Sequence, residues 1–178
     1  MAIVMFVGTI GSFFIFVLEA NNGPVTSPQE QAAEDFQKQQ QEAAKARLDS
    51  SKPLEGYSSD EFDADKVTKL VSKVLDAGSG ATIKGNDAIS VNYFGWTPDG
   101  VIFDSSNQNG KTEPIELSLE GVIPGWTQGL KDKKVGDTVE LTIPSDLAYG
   151  EQGSPPNIAP NTPLKFIVEI KEIVKKAE

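Results

Sequence analysis

With no histidine and no cysteine among 178 residues, the side chains left to do chemistry are carboxylates, lysines and hydroxyls. That excludes Ser-His-Asp and Cys-His arrangements, thiolate nucleophiles, disulfides, and imidazole or thiolate ligation of a metal. It also removes the ordinary proton shuttle of neutral pH. Carboxylates are plentiful, 26 acidic residues against 16 basic ones for a formal charge of -10. None stands out by spacing as a general acid and base pair, and most read as a solvated acidic surface. Asp60, Asp63 and Asp65 resemble the opening of a calcium loop, yet the glycine of the sixth position and the glutamate of the twelfth are missing. The glycine-rich pieces Ala77-Gly78-Ser79-Gly80 and Gly150 to Gly153 lack a following Gly-Lys-Ser/Thr and a βαβ setting, so they are not phosphate cradles. No cofactor or metal is expected, and an acidic chain without a basic stripe is not expected to bind nucleic acid. What remains is a hydrolase running on carboxylates or lysine, a reaction that needs neither acid nor base, or plain binding.

A dispersed aromatic set is more telling. Tyr93, Phe103, Trp126, Tyr149 and Phe166 each stand next to a turn or on the inward register of a strand. Taken alone, such a set is most simply a packed core. The surrounding residues add to this. Val91-Asn92-Tyr93-Phe94-Gly95 comes first, then Asp99-Gly100 with Phe103-Asp104-Ser105-Ser106. Val122-Ile123-Pro124-Gly125-Trp126 with Gly129-Leu130 follows, then Leu147-Ala148-Tyr149-Gly150, and Pro160-Asn161 before Leu164-Lys165-Phe166. In order and spacing, over about residues 70 to 174, this series resembles the motifs of the FKBP-type peptidyl-prolyl isomerases.

The resemblance implies an α+β domain with an apolar pocket for a proline ring. It puts Trp126 on the pocket floor and Tyr93, Phe103, Val122, Ile123 and Phe166 in the walls. Tyr149 would aim its hydroxyl at one substrate carbonyl and the Ile123 backbone N–H at another, with Asp104 at the pocket edge, held by a hydrogen bond from Tyr93. The catalytic set so implied is Tyr149, Asp104 and Phe103, the partners are proline-containing segments of unfolded or exported proteins, and a macrolide is a possible inhibitor. The chain departs from the family pattern at four places. Ile115 and Leu117 stand where aromatics are common, and the segment between Leu119 and Val122 is short. Ile158-Ala159-Pro160-Asn161 replaces the usual Ile-Pro-Pro-Asn, and the loop carries Ser154-Pro155-Pro156-Asn157. A reaction of this kind suits a chain without His or Cys, because rotating an X-Pro amide moves no proton and breaks no covalent bond. Two other readings remain open: a binding module or holdase-like chaperone that keeps the pocket without turnover, and a stalked adhesin with an incidental fold.

The elements that must position these residues follow from periodicity. Thr138 to Ile143 alternates strictly, as do Leu164, Phe166, Val168 and Ile170, which marks half-buried antiparallel strands. Ala88 to Phe94 is a third strand, closed by the turn Pro98-Asp99-Gly100 and returned through Val101 to Phe103. Ile115, Leu117 and Leu119 alternate again, and Val67 to Leu75 is a weaker candidate. Pro124 to Leu130 has room for no more than two helical turns. The expectation is an antiparallel sheet of about five strands wrapped on one short helix, over residues 61–178. Upstream, Ser27-Pro28-Gln29-Glu30 reads as a capping box opening a polar spacer helix to Leu48, and Asp49 to Asp60 as a flexible linker, so residues 21–60 form a stalk. Residues 1–20 hold an uncharged apolar run, Met1 to Leu18, that would span about 27 Å as a helix. With no basic flank and a poor cleavage site at Leu18-Glu19-Ala20, it favours an uncleaved single-pass membrane anchor over a signal peptide. The domain would then lie outside the cell membrane, or be secreted if the segment is cleaved.

Overall fold

The two strictly alternating stretches become neighbouring strands in the middle of a six-stranded antiparallel sheet. The computed structural model describes residues 38–39, 42–43 and 45–174. The expected membrane segment and most of the spacer helix lie outside them. Among the described residues no helix is long and apolar enough to cross a membrane. The strands are β1 (Val71–Asp76), β2 (Ala88–Trp96), β3 (Ile102–Ser105), β4 (Asn107–Gln108), β5 (Lys111–Thr112), β6 (Ile115–Ser118), β7 (Thr138–Ile143) and β8 (Leu164–Val174). Residues 38–39, 42–43 and 45–50 are helical and are called α1, and α2 spans Pro124–Leu130.

The sheet runs β1-β7-β8-β2-β3, and β6 shares with β3 the same edge of β2. β3 pairs with the Phe94–Trp96 end and β6 with the Ala88–Val91 end, while the small β4-β5 hairpin lies between them in the chain. Six strands replace the expected five or so because the weak candidate is real. β1 is an edge strand, and its valines Val71 and Val74, three positions apart and so on opposite registers, are both exposed, which is why its pattern is faint.

One face of the sheet carries the main core, built from the inward registers of β2, β7 and β8 against α2. The seven-residue α2 is too short to persist alone and is held by packing. Pro124 opens it, at the first-turn position where a missing N–H costs nothing. Two glycines bring its backbone down onto β7: a β-carbon on Gly125 would collide with Ile143 Cγ2, and one on Gly129 would lie 2.6 Å from Leu141 Cδ2.

The other face is covered too, and here the linker expectation is corrected. Leu54 is buried with Phe94, Trp96 and Ile167, and Tyr57 and Phe62 pack on the same cluster. The Trp96 indole N–H donates to the Asp60 carbonyl at 2.9 Å, and Ser105 Oγ donates to the Lys52 carbonyl at 2.7 Å. The physical cause lies in β2, which is apolar on both registers, Tyr93 on one and Phe94 and Trp96 on the other. A strand of that kind must be covered on both faces, and each large side chain so buried contributes roughly 1.5–3 kcal/mol. Packing is therefore continuous across residue 61, the expected start of the domain.

Candidate active site

Four rings converge on the α2 side of the sheet from four different elements. Trp126 rises from α2 and meets Tyr93 of β2 at 5.4 Å between centroids and 84° between planes. It meets Phe166 of β8 at 5.3 Å and 90°, and Phe166 meets Phe103 of β3 at 5.6 Å and 89°. Each contact is edge to face, the arrangement the ring quadrupoles favour. All four side chains are buried. They enclose a recess of about 400 Å³, toward the small end of the range for ligand sites.

The eight residues expected at the site, Tyr93, Phe103, Asp104, Val122, Ile123, Trp126, Tyr149 and Phe166, all line this recess. Ile115, Leu117 and Gly121 line it as well and were not among them. Ile115 and Leu117 share one register of β6, so their alternation was a signal for an inward face, and that face opens on the recess. Ile123 takes an extended conformation at φ -57° and ψ 143°, as a residue before proline must, and its carbonyl accepts from the Trp126 N–H at 2.9 Å. Tyr149 stands between the short 3-10 turns Ser145–Leu147 and Gly150–Gln152, and the Asn161 N–H donating to the Gly150 carbonyl at 2.8 Å ties that corner down. The residue is 39% exposed, the most open of the recess aromatics.

The polar edge is built around Asp104. Its Oδ2 accepts a hydrogen bond from the Tyr93 hydroxyl, and its Oδ1 accepts the Ser105 N–H at 2.9 Å and the Arg47 Nε–H at 2.8 Å. Ser106 ties the end of β3 to β2: the Tyr93 N–H donates to Ser106 Oγ at 2.9 Å and the Ser106 N–H to the Tyr93 carbonyl at 2.8 Å. Burial, then the Asp104 charge, raises the Tyr93 phenol well above its ordinary value. The same two causes, in the same order, raise Tyr149. Both phenols are thus neutral donors at physiological pH. Arg47, on α1, has no counterpart among the expected site residues. It lies 57 positions from Asp104 in the chain, and no local pattern connects the two.

The arrangement holds no nucleophile beside a base and no pair of carboxylates around a common point. It offers a mainly apolar hollow, a phenol at the rim and an anchored carboxylate at one edge. Such a site can take up an apolar ring, exclude water from it and donate a hydrogen bond to a neighbouring carbonyl.

Residues 79–171 match the sequence model of the family described as FKBP-type peptidyl-prolyl cis-trans isomerase. A protein of Haemophilus influenzae named probable FKBP-type peptidyl-prolyl cis-trans isomerase is 39% identical over 145 residues, 76% of this chain and 59% of that protein. The protein named outer membrane protein MIP of Legionella longbeachae is 39% identical over 108 residues, 61% of this chain and 46% of that one. The crystal structure of FkpA from Escherichia coli superposes with a TM-score of 0.57 at 34% identity, covering 86% of this chain and 76% of that one. The chain thus spans less than two thirds of the length of the two sequence relatives.

Proposed function

The chain belongs to the FKBP-type peptidyl-prolyl cis-trans isomerases, and from that membership and the recess we propose that it accelerates rotation about X-Pro bonds in unfolded or exported polypeptides. The observation that carries the reading is the chain of four rings, each meeting the next edge to face, around a hollow of about 400 Å³. Rotation about an amide faces a barrier of roughly 18–20 kcal/mol because resonance must be broken. In the twisted transition state the nitrogen becomes pyramidal and the carbonyl loses charge separation. A dry pocket disfavours the planar, more polar ground state relative to that transition state, so binding becomes catalysis. Lowering the barrier by about 5–7 kcal/mol would raise the rate by roughly four to five powers of ten.

In this reading Trp126 supports the proline ring, and Tyr93, Phe103, Val122, Ile123 and Phe166 surround it. The Tyr149 hydroxyl donates to one substrate carbonyl and the Ile123 N–H to a second, while Asp104 fixes the edge of the hollow through Tyr93. A macrolide that fills the recess would compete with the peptide. The domain acts outside the cytoplasmic membrane, tethered by residues 1–18 as a single-pass anchor. An uncharged apolar run of that length and the naming of one relative as an outer membrane protein support this placement. N-terminal sequencing of the native protein distinguishes an anchor from a cleaved signal.

The test is a proline-peptide isomerisation assay on the full chain. A catalysed rate that falls with Phe103→Ala and Tyr149→Phe is expected. A rate equal to the uncatalysed one, or one that both substitutions leave untouched, overturns the proposal.

A further inference from the structure

Arg47 is the single arginine of the chain, the other basic residues being lysines, and it lies outside the region matched to the family, residues 79–171. Its side chain nevertheless reaches the wall of the recess. Both Nε and Nη2 lie 2.8 Å from Asp104 Oδ1, which also accepts the Ser105 N–H, while Oδ2 is left to the Tyr93 hydroxyl. With both oxygens engaged, the carboxylate has one orientation, and so does the phenol that donates to it. Remove the guanidinium and Oδ1 keeps only the backbone N–H.

The position of Arg47 is itself built. The Ser51 hydroxyl donates to the Arg47 carbonyl at 2.7 Å, and the Gln108 side-chain amide donates to Ser51 Oγ at 3.2 Å and to the Ser105 carbonyl at 2.7 Å. The Asn109 N–H donates to the Ser50 carbonyl at 2.8 Å and the Lys52 N–H to the Asn107 carbonyl at 3.0 Å. Leu48 packs on the main core. The last turn of α1 is thus fastened to the strand that follows Asp104. The ion pair itself is half open to water, with side-chain exposures of 59% and 29%, so it contributes little to stability and its effect is local.

We infer that Arg47 is a positioning residue of the recess, supplied by the segment ahead of the family domain, which fixes the Asp104 carboxylate and through it the Tyr93 hydroxyl. The inference deepens the proposed isomerase reading and rests on it for its kinetic consequence. A free carboxylate would turn, release Tyr93 and leave an unbalanced negative charge beside the amide. The loss therefore falls on kcat more than on KM.

The experiment compares the full chain with Arg47→Ala, Arg47→Lys, Asp104→Asn and the double substitution R47A/D104N. Expected for Arg47→Ala is a loss of about five-fold in kcat/KM, carried by kcat, with unchanged thermal melting. Lysine restores only part of it, since a point charge cannot reproduce the fork. On the Asp104→Asn background Arg47→Ala has no further effect. Raising salt from roughly 0.01 M to 1 M shortens the screening length from about 30 Å to about 3 Å and carries wild-type kcat/KM toward the Arg47→Ala value. That arm needs no variant, so it stands even where a variant fails to fold. A second readout is independent of turnover: NMR exchange of the Tyr93 hydroxyl proton is expected to accelerate at least five-fold, by order of magnitude, in Arg47→Ala. Kinetics insensitive to salt, full additivity on the Asp104→Asn background, or unchanged Tyr93 exchange overturns the inference. A wild-type chain that catalyses nothing while Tyr93 exchange still responds to Arg47 overturns the isomerase reading and leaves the positioning role standing.

Discussion

Gly95 on β2 and Phe166 on β8 face each other in register, and the Phe166 ring occupies the space a β-carbon on Gly95 would need, 2.5 Å from Cε1, with Phe103 Cζ at 2.7 Å. Glycine at this position lets two walls of the recess lie directly on the strand backbone. Gly95→Ala must push both rings into the hollow at once. The expected cost is about 1–3 kcal/mol in chemical denaturation, together with a loss of kcat/KM of about ten-fold or more. Gly85→Ala, where the added atom would meet only Thr127 Cγ2 at 3.8 Å, serves as the neutral control. Unchanged stability and turnover in Gly95→Ala would mean that this close approach does not shape the site.

Much of the recess is legible in the sequence, but at two different levels. Alternation alone puts Phe166 on an inward register beside Leu164 and Val168, and it would have allowed Phe166 to be ordinary core. Only the ordered series of motifs joins it to Tyr149 and Ile123, which sit in loops with no periodicity to read. The second apolar face was signalled by Phe94 and Trp96, which stand on the register opposite Tyr93. The segment that covers it gives no local sign of docking, because Leu54, Tyr57 and Phe62 are scattered among turn residues. Arg47 and Asp104 meet across 57 positions of chain, a pairing set by tertiary packing that no window of sequence contains.

The docked segment yields a prediction that separates stability from activity. Leu54 is buried at 3% exposure on the sheet face away from the recess. Truncation to alanine leaves a cavity against Phe94, Trp96 and Ile167, and Leu54→Ala is expected to cost about 2–5 kcal/mol. Turnover per folded molecule should be unaltered. Denaturant unfolding and the peptide assay at low temperature measure the two effects separately; a drop in kcat/KM would show that the two faces of the sheet are coupled.

Tyr149 tests the hydrogen bond at the rim. Tyr149→Phe keeps the ring and removes one donor, so melting is expected to be unchanged. If the hydroxyl strengthens its bond in the transition state, the loss corresponds to about 0.5–1.5 kcal/mol, or roughly two- to twelve-fold in kcat/KM. Phe103→Ala is the contrast. This buried wall residue leaves a cavity, so stability should fall by about 3–5 kcal/mol along with activity. Equal kcat/KM in Tyr149→Phe and wild type would place the hydroxyl outside the reacting complex.

The pH dependence follows from the absence of histidine and the state of the two phenols. Burial first, then the Asp104 charge, raises Tyr149 above its usual value of 10.0. Tyr93 is raised by the same causes and by its hydrogen bond to Asp104, with Arg47 opposing. A phenol whose folded value is raised binds its proton more tightly in the folded state than in the unfolded one. The stability this contributes is fully present below about pH 10, where the unfolded phenol is still protonated, and is lost as pH rises from there toward the folded value. With no imidazole in the chain, kcat/KM is therefore expected to be flat from about pH 6 to 9, while the melting temperature begins to fall only above about pH 10. Tyr93→Phe should remove part of that alkaline decline and lower the neutral plateau, since it takes away both the raised phenol and its hydrogen bond to Asp104. A rate profile with a midpoint near 7 would require a titrating group that the recess, as built from these residues, does not contain.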